Sequence, residues 1–142
     1  MFGQPLPETQ PEQGSGERKK VLIVDDDPDM GELLCDRLQE LGYEALHSCT
    51  GEEGLLLAYR NSPDLILLDL RLPGIDGLTV CQMLADDEET AGIPVIIVSG
   101  MEAPNLIRRT RAAGSRFFLR KPYDPNALLV LIDHALRGDR DW

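Results

Sequence analysis

Short apolar runs alternate along this chain with longer stretches in which apolar positions fall three and four residues apart. Val21–Val24, Leu65–Leu68 and Val95–Val98 are continuously apolar, the pattern of strands covered on both faces of a parallel sheet. Tyr43–His47 and Phe117–Leu119 are weaker strand candidates. Between them, Met30, Leu33, Leu34, Leu38 and Leu41 recur at helical spacing, and Gly42 supplies a stop. Thr50 and Glu53 form a capping-box pair that opens a helix through about Arg60. Asp76 is placed to cap a helix through Leu84, followed by an acidic connector, Asp86–Thr90. Pro104 suits the first turn of a helix that runs to Ala113 and stops at Gly114. Asp124-Pro125 caps the last one, Asn126 to Arg137.

Five β-α units in strict alternation predict an α/β fold, a parallel, doubly wound sheet with helices on both faces and right-handed crossovers. The short chain favours a flavodoxin-like (βα)5 arrangement with strand order 2-1-3-4-5. In such sheets ligands bind beyond the carboxyl ends of the strands, where the order reverses, here between the first and third. Asp25, Asp26 and Asp27 close the first strand, Asp69 the third and Ser99 the fourth, and Lys121 follows the fifth. Taken singly, each such residue reads as a turn residue, a helix cap or a solvated charge. Four strand ends converging on one crevice read instead as a site.

Carboxylates gathered there repel one another, and a divalent cation relieves that conflict. Mg²⁺ takes oxygen ligands and needs only one or two carboxylates with a phosphate oxygen. Lys121 adds a fixed positive charge, Ser99 a hydroxyl, and Gly100 leaves room beside it. A carboxylate nucleophile among these groups is a set for phosphoryl transfer.

The formal charge of −11 makes direct binding to nucleic acid or anionic membranes unfavourable, and favours a cationic partner or a divalent metal. Three cysteines, Cys35, Cys49 and Cys81, without C-x-x-C spacing, fit free thiols in a reducing compartment. No apolar run approaches the ~20 residues of a spanning helix, so a cytoplasmic protein is expected. Residues 1–17, rich in Pro, Gln, Glu and Gly, are expected to be a disordered tail. Residues 18–138 are expected to form the folded domain and 139–142 a C-terminal tail, too short for an output domain, so a stand-alone and an excised domain both remain open.

At these positions the sequence resembles the bacterial two-component response-regulator receiver domain, the CheY-like module. The resemblance rests on Val21-Leu-Ile-Val-Asp-Asp-Asp-Pro28, Leu65-Ile-Leu-Leu-Asp-Leu-Arg-Leu-Pro-Gly-Ile-Asp-Gly77, Val95-Ile-Ile-Val-Ser-Gly100 and Phe118-Leu-Arg-Lys-Pro-Tyr123. It implies a phosphorylation-dependent switch rather than an enzyme, with Asp69 as phosphoacceptor. It further implies Mg²⁺ held by Asp26 and Asp69, with Asp25 acting mostly through water and the Arg71 backbone carbonyl completing the set. Ser99 and Lys121 would bind the phosphoryl group, Phe118 would be the switch aromatic, and the Lys121–Pro122 peptide would be cis.

The resemblance implies a sensor histidine kinase, a phosphotransfer protein or a small acyl phosphate as donor. It places the output on the fourth helix, fifth strand and fifth helix, where Arg108, Arg109, Arg111, Arg116 and Arg120 form a basic patch. The downstream partner and the oligomeric state are not implied. Arg71 and Met101 depart from the commonest family pattern at positions that tune dephosphorylation, so phosphoryl lifetime does not carry over.

Two other functions compete. A receiver-like scaffold would keep the fold without phosphorylation, and the joint presence of Asp26, Asp69, Ser99 and Lys121 argues against it. A phosphatase of the haloacid-dehalogenase type needs a second Asp two residues after the nucleophile as general acid, and Arg71 stands there.

Overall fold

The computed structural model describes residues 18–138; the tails expected at 1–17 and 139–142 lie outside the described residues. The chain alternates β1 (Lys20–Val24), α1 (Pro28–Glu40), β2 (Glu44–Ser48), α2 (Gly51–Asn61), β3 (Leu65–Leu68), α3 (Gly77–Asp86), β4 (Val95–Ser99), α4 (Leu106–Ala112), β5 (Phe117–Arg120) and α5 (Pro125–Arg137). All strand pairs are parallel, and the order is β2-β1-β3-β4-β5, as the alternation predicts.

The central strands are apolar throughout because helices cover both faces. Val21 and Ile23 point to one side, into a cluster with Leu38, Leu128, Leu131 and Ile132 of α1 and α5. Leu22 and Val24 point to the other, with Leu55, Val80, Leu84 and Leu106 from α2, α3 and α4. This alternation within an unbroken apolar run is what a two-sided core requires. Among the described residues no helix is long and apolar enough to cross a membrane.

Caps fix where the helices begin. Asp27 accepts from the backbone N–H of Asp29 and Met30, Asp76 from Thr79 and Asp124 from Asn126. Four local expectations are corrected. The capping box of α2 is only half made: Thr50 accepts from Glu53 N–H, but the Glu53 carboxylate reaches the N–H of Cys49 rather than that of Thr50.

Helix α4 begins at Leu106, after Pro104, because Asn105 adopts a left-handed conformation (φ 60°). Ala103 to Leu106 closes a turn instead, with Pro and a left-handed Asn in the two central positions that a type II turn favours. Of the apolar positions assigned to α1, Leu38 is buried, whereas Leu33 on the stripe's edge and Leu41 beyond the last turn are both 55% exposed. In the acidic connector, Asp86 still belongs to α3, and Thr90 is buried with its hydroxyl donating to Leu84 O at 2.7 Å.

Candidate functional site

The carboxyl ends of β1 and β3 lie side by side, Val24 opposite Leu68, so the residues that follow them become neighbours. Asp25 and Asp69 are 6% and 8% exposed, whereas Asp26 faces solvent. One oxygen from each of the three carboxylates lies within 4.8 Å of the other two. Opposite ligands of an octahedral Mg²⁺ stand about 4.2 Å apart, twice its ~2.1 Å bond, so an adjustment of a few tenths of an ångström at most lets this all-oxygen set share one such ion.

Lys121 reaches the same point from the end of β5. Its ammonium donates to Asp69 Oδ2 at 2.9 Å and to Asp25 Oδ2 at 3.3 Å. Burial works to depress this lysine, but the bonds and charges of Asp69 and Asp25 outweigh it and hold the ammonium above its usual value. The other oxygen of each acid meets a backbone amide: Asp25 Oδ1 accepts from Asp27 N–H at 2.9 Å, and Asp69 Oδ1 from Arg71 N–H at 3.1 Å. Each buried carboxylate is thereby aimed by one fixed cation and one fixed dipole.

The remaining predicted residues surround this centre. The backbone of Arg71 touches Asp69 while its side chain lies in solvent. Ser99 is fully buried; its hydroxyl accepts from Met101 N–H at 3.0 Å, and its carbonyl accepts from Lys121 N–H at 2.9 Å, seating Lys121 beside it. A Cβ at Gly100 would meet Lys121 Cβ at 3.6 Å, an ordinary contact, so the described atoms do not themselves demand glycine there. The Lys121–Pro122 peptide is cis. Phe118 is half-buried on the α2–α4 side, and Phe117 is buried on the α1–α5 side.

Sequence reasoning passed over three contributors. Gly77 packs directly on Asp69 and Leu70, and Gly31 and His47 back the loop that carries Asp25. A glycine opening one helix and another inside a second were the only local signals.

Volume does not mark this site. A concavity of about 550 Å³, lined by Lys19, Asp64, Pro94 and Phe117, lies at the amino ends of the strands, remote from the acids. The candidate site lies instead where charged groups converge, beyond the carboxyl ends of β1 and β3.

The response regulator receiver domain family matches residues 21–133. The chain is 38% identical over 118 residues to the DNA-binding dual master transcriptional regulator RpaA of Synechocystis, covering 83% of this chain but about half, 49%, of that protein. It is 35% identical over 119 residues to protein PilH of Pseudomonas aeruginosa, covering 84% of this chain and 98% of PilH. The crystal structure of a CheY-like receiver domain protein from Methanospirillum hungatei superposes with a TM-score of 0.81 at 28% identity, covering 86% of this chain and 96% of that one. Fold, family match and relatives agree: this chain belongs to the response regulator receiver domain family, whose members serve phosphorylation-dependent signalling.

Proposed function

We propose that Asp69 accepts a phosphoryl group from the phosphohistidine of a sensor histidine kinase or phosphotransfer protein, or from a small acyl phosphate. One observation carries this reading: the Lys121 ammonium lies 2.9 Å from the Asp69 carboxylate, at the point where Asp25 and Asp26 converge. Asp25, Asp26 and Asp69 would hold Mg²⁺, with the Arg71 carbonyl as a further ligand. The ion, when bound, offsets negative charge on the acids and on the incoming phosphoryl oxygens.

The chain's own groups do the rest. An oxygen of Asp69 attacks phosphorus; the bond from phosphorus to the donor nitrogen, or to the acyl phosphate oxygen, breaks, and its electron pair leaves with the donor. Lys121 gives up part of its pairing with Asp69 and turns to the equatorial oxygens, where charge collects. Ser99 then exchanges its bond to Met101 N–H for one to a phosphoryl oxygen. That movement frees space toward Phe118, whose inward turn alters the face formed by α4, β5 and α5.

This face is basic on an acidic protein. Arg108, Arg109, Arg111, Arg116 and Arg120, in and between α4 and β5, are all exposed, Arg109 beside Leu78 and Met83 of α3 and Arg116 at the amino ends of the strands. Arg120 pairs loosely with Glu102 at 3.7 Å, and among the described residues no carboxylate lies within ion-pair distance of the other four. An output partner presenting acidic residues fits it.

The test is intact mass after incubation with Mg²⁺ and acetyl phosphate. The wild type is expected to gain one phosphoryl mass and Asp69→Asn none. A gain in both variants would overturn the reading, as would no gain in wild type with a competent kinase supplied.

A further inference from the structure

The last residues of β2 lie beside the acidic loop rather than in it, yet they hold both backbone groups of Asp25. Asp25 N–H donates to Ser48 O at 3.1 Å, and His47 Nε2 lies 2.9 Å from Asp25 O. A carbonyl oxygen can only accept, so Nε2 carries the hydrogen and donates. The ring is pressed against α1 at Gly31, which is buried in the helix. A Cβ added at Gly31 would overlap Cε1 and Nε2 of His47 and lie 2.5 Å from Cδ2. Glycine is among the poorest residues for a helix interior, so its presence there calls for a reason. The imidazole supplies it, because the ring occupies the volume that any side chain would need.

The carbonyl that His47 holds belongs to the same planar unit as the N–H and Cα of Asp26. Fixing that oxygen therefore fixes the direction in which Asp26 leaves the strand. Asp26 needs this support: its carboxylate is exposed and has no hydrogen bond among the described residues, whereas those of Asp25 and Asp69 are each tied by Lys121 and by an amide.

We infer that His47, admitted by Gly31, is a positioning residue for the divalent-cation site: it clamps the Asp25–Asp26 peptide so that the Asp26 carboxylate meets those of Asp25 and Asp69. This rests on the Mg²⁺ reading given above. It adds a functional dependence on β2, the edge strand that contributes no acid to the site.

The test is Mg²⁺ affinity by isothermal titration calorimetry, with thermal melts on the same metal-free proteins. His47→Phe keeps a ring without a donor, and we expect it to weaken Mg²⁺ about tenfold, the lower end of what loss of groups behind metal ligands costs. His47→Gln restores the donor and should recover most of that affinity, which a merely structural role would not require. Gly31→Ala should lower the melting temperature of the wild type and raise that of His47→Ala, where the space is free. If His47→Phe does not fold, Gly31→Ala serves alone: it should push the ring off the carbonyl and weaken Mg²⁺. A folded His47→Phe or Gly31→Ala that binds Mg²⁺ as tightly as wild type, while Asp26→Asn loses it, overturns this inference and leaves the site reading standing. If wild type takes up no Mg²⁺, or Asp26→Asn binds it undiminished, both fail.

Discussion

Gly77 opens α3 directly against Asp69: a Cβ there would collide with the Asp69 carbonyl oxygen and lie 2.5 Å from the Cα of Leu70. The obstructing atoms are backbone, which cannot swing aside as a side chain can. The Gly77 N–H also donates to Leu70 O at 2.9 Å, so the helix start and the strand end are joined as well as packed. The candidate phosphoacceptor is thus seated on a surface that tolerates no side chain. Gly77→Ala should cost about 1–3 kcal/mol, as overpacking of a close contact does. Urea denaturation would check this, and an unchanged midpoint would show that the contact relaxes freely.

Lys121 pairs with two buried acids in the metal-free protein and offsets part of their charge. Breaking a fully buried pair costs about 3–5 kcal/mol, but the Lys121 side chain is 29% exposed and water reaches it, so about 1–2 kcal/mol is expected for Lys121→Met. Saturating Mg²⁺ should narrow that difference, since the ion takes over the same neutralising task. Chemical denaturation with and without Mg²⁺ measures both quantities; equal differences would separate Lys121 from the acidic cluster.

Asp76 caps α3, and the bond from Thr79 N–H, at 2.8 Å, is the main cause that holds its carboxyl below the ordinary 3.8, with Arg109 contributing. A depressed carboxyl contributes stability above its unfolded pKa and loses it as the pH falls through the folded one. Asp76→Ala should therefore cost about 1 kcal/mol at neutral pH. The advantage of wild type over Asp76→Asn, which keeps a neutral cap, should hold down to about pH 4 and shrink below it. Stability curves of the two proteins against pH would show whether the difference follows that course.

Burial pushes the Cys81 thiol up to about 11, and the residue is only 1% exposed. A thiol-specific reagent at mildly alkaline pH should spare Cys81 in the folded protein and reach it on unfolding, while Cys35 and Cys49, both half-buried, react first. Peptide mapping after timed alkylation decides it.

The central strands were legible because a strand covered on both faces leaves an uninterrupted apolar run. The site was legible for a related reason. A polar residue directly after such a run must stand at the sheet's carboxyl edge, so the sequence alone brings Asp25, Asp69 and Ser99 to one edge. Contacts between elements distant in sequence were not legible. In sequence His47 is only the end of a weak strand candidate, and only the fold brings it to Gly31 and the Asp25 carbonyl. Pro104 does not fix the start of α4, because a proline suits both a first helical turn and the second position of a β-turn, and Asn105 in its left-handed conformation decides for the turn.

The most direct measurement locates the phosphoryl group itself. Protein treated with Mg²⁺ and acetyl phosphate is reduced with borohydride, which converts an aspartyl phosphate to homoserine, and is then mapped by peptide mass spectrometry. The account predicts homoserine at position 69 alone, lost when Mg²⁺ is chelated. Homoserine at another aspartate, or labelling of residue 69 that is indifferent to Mg²⁺, would contradict it.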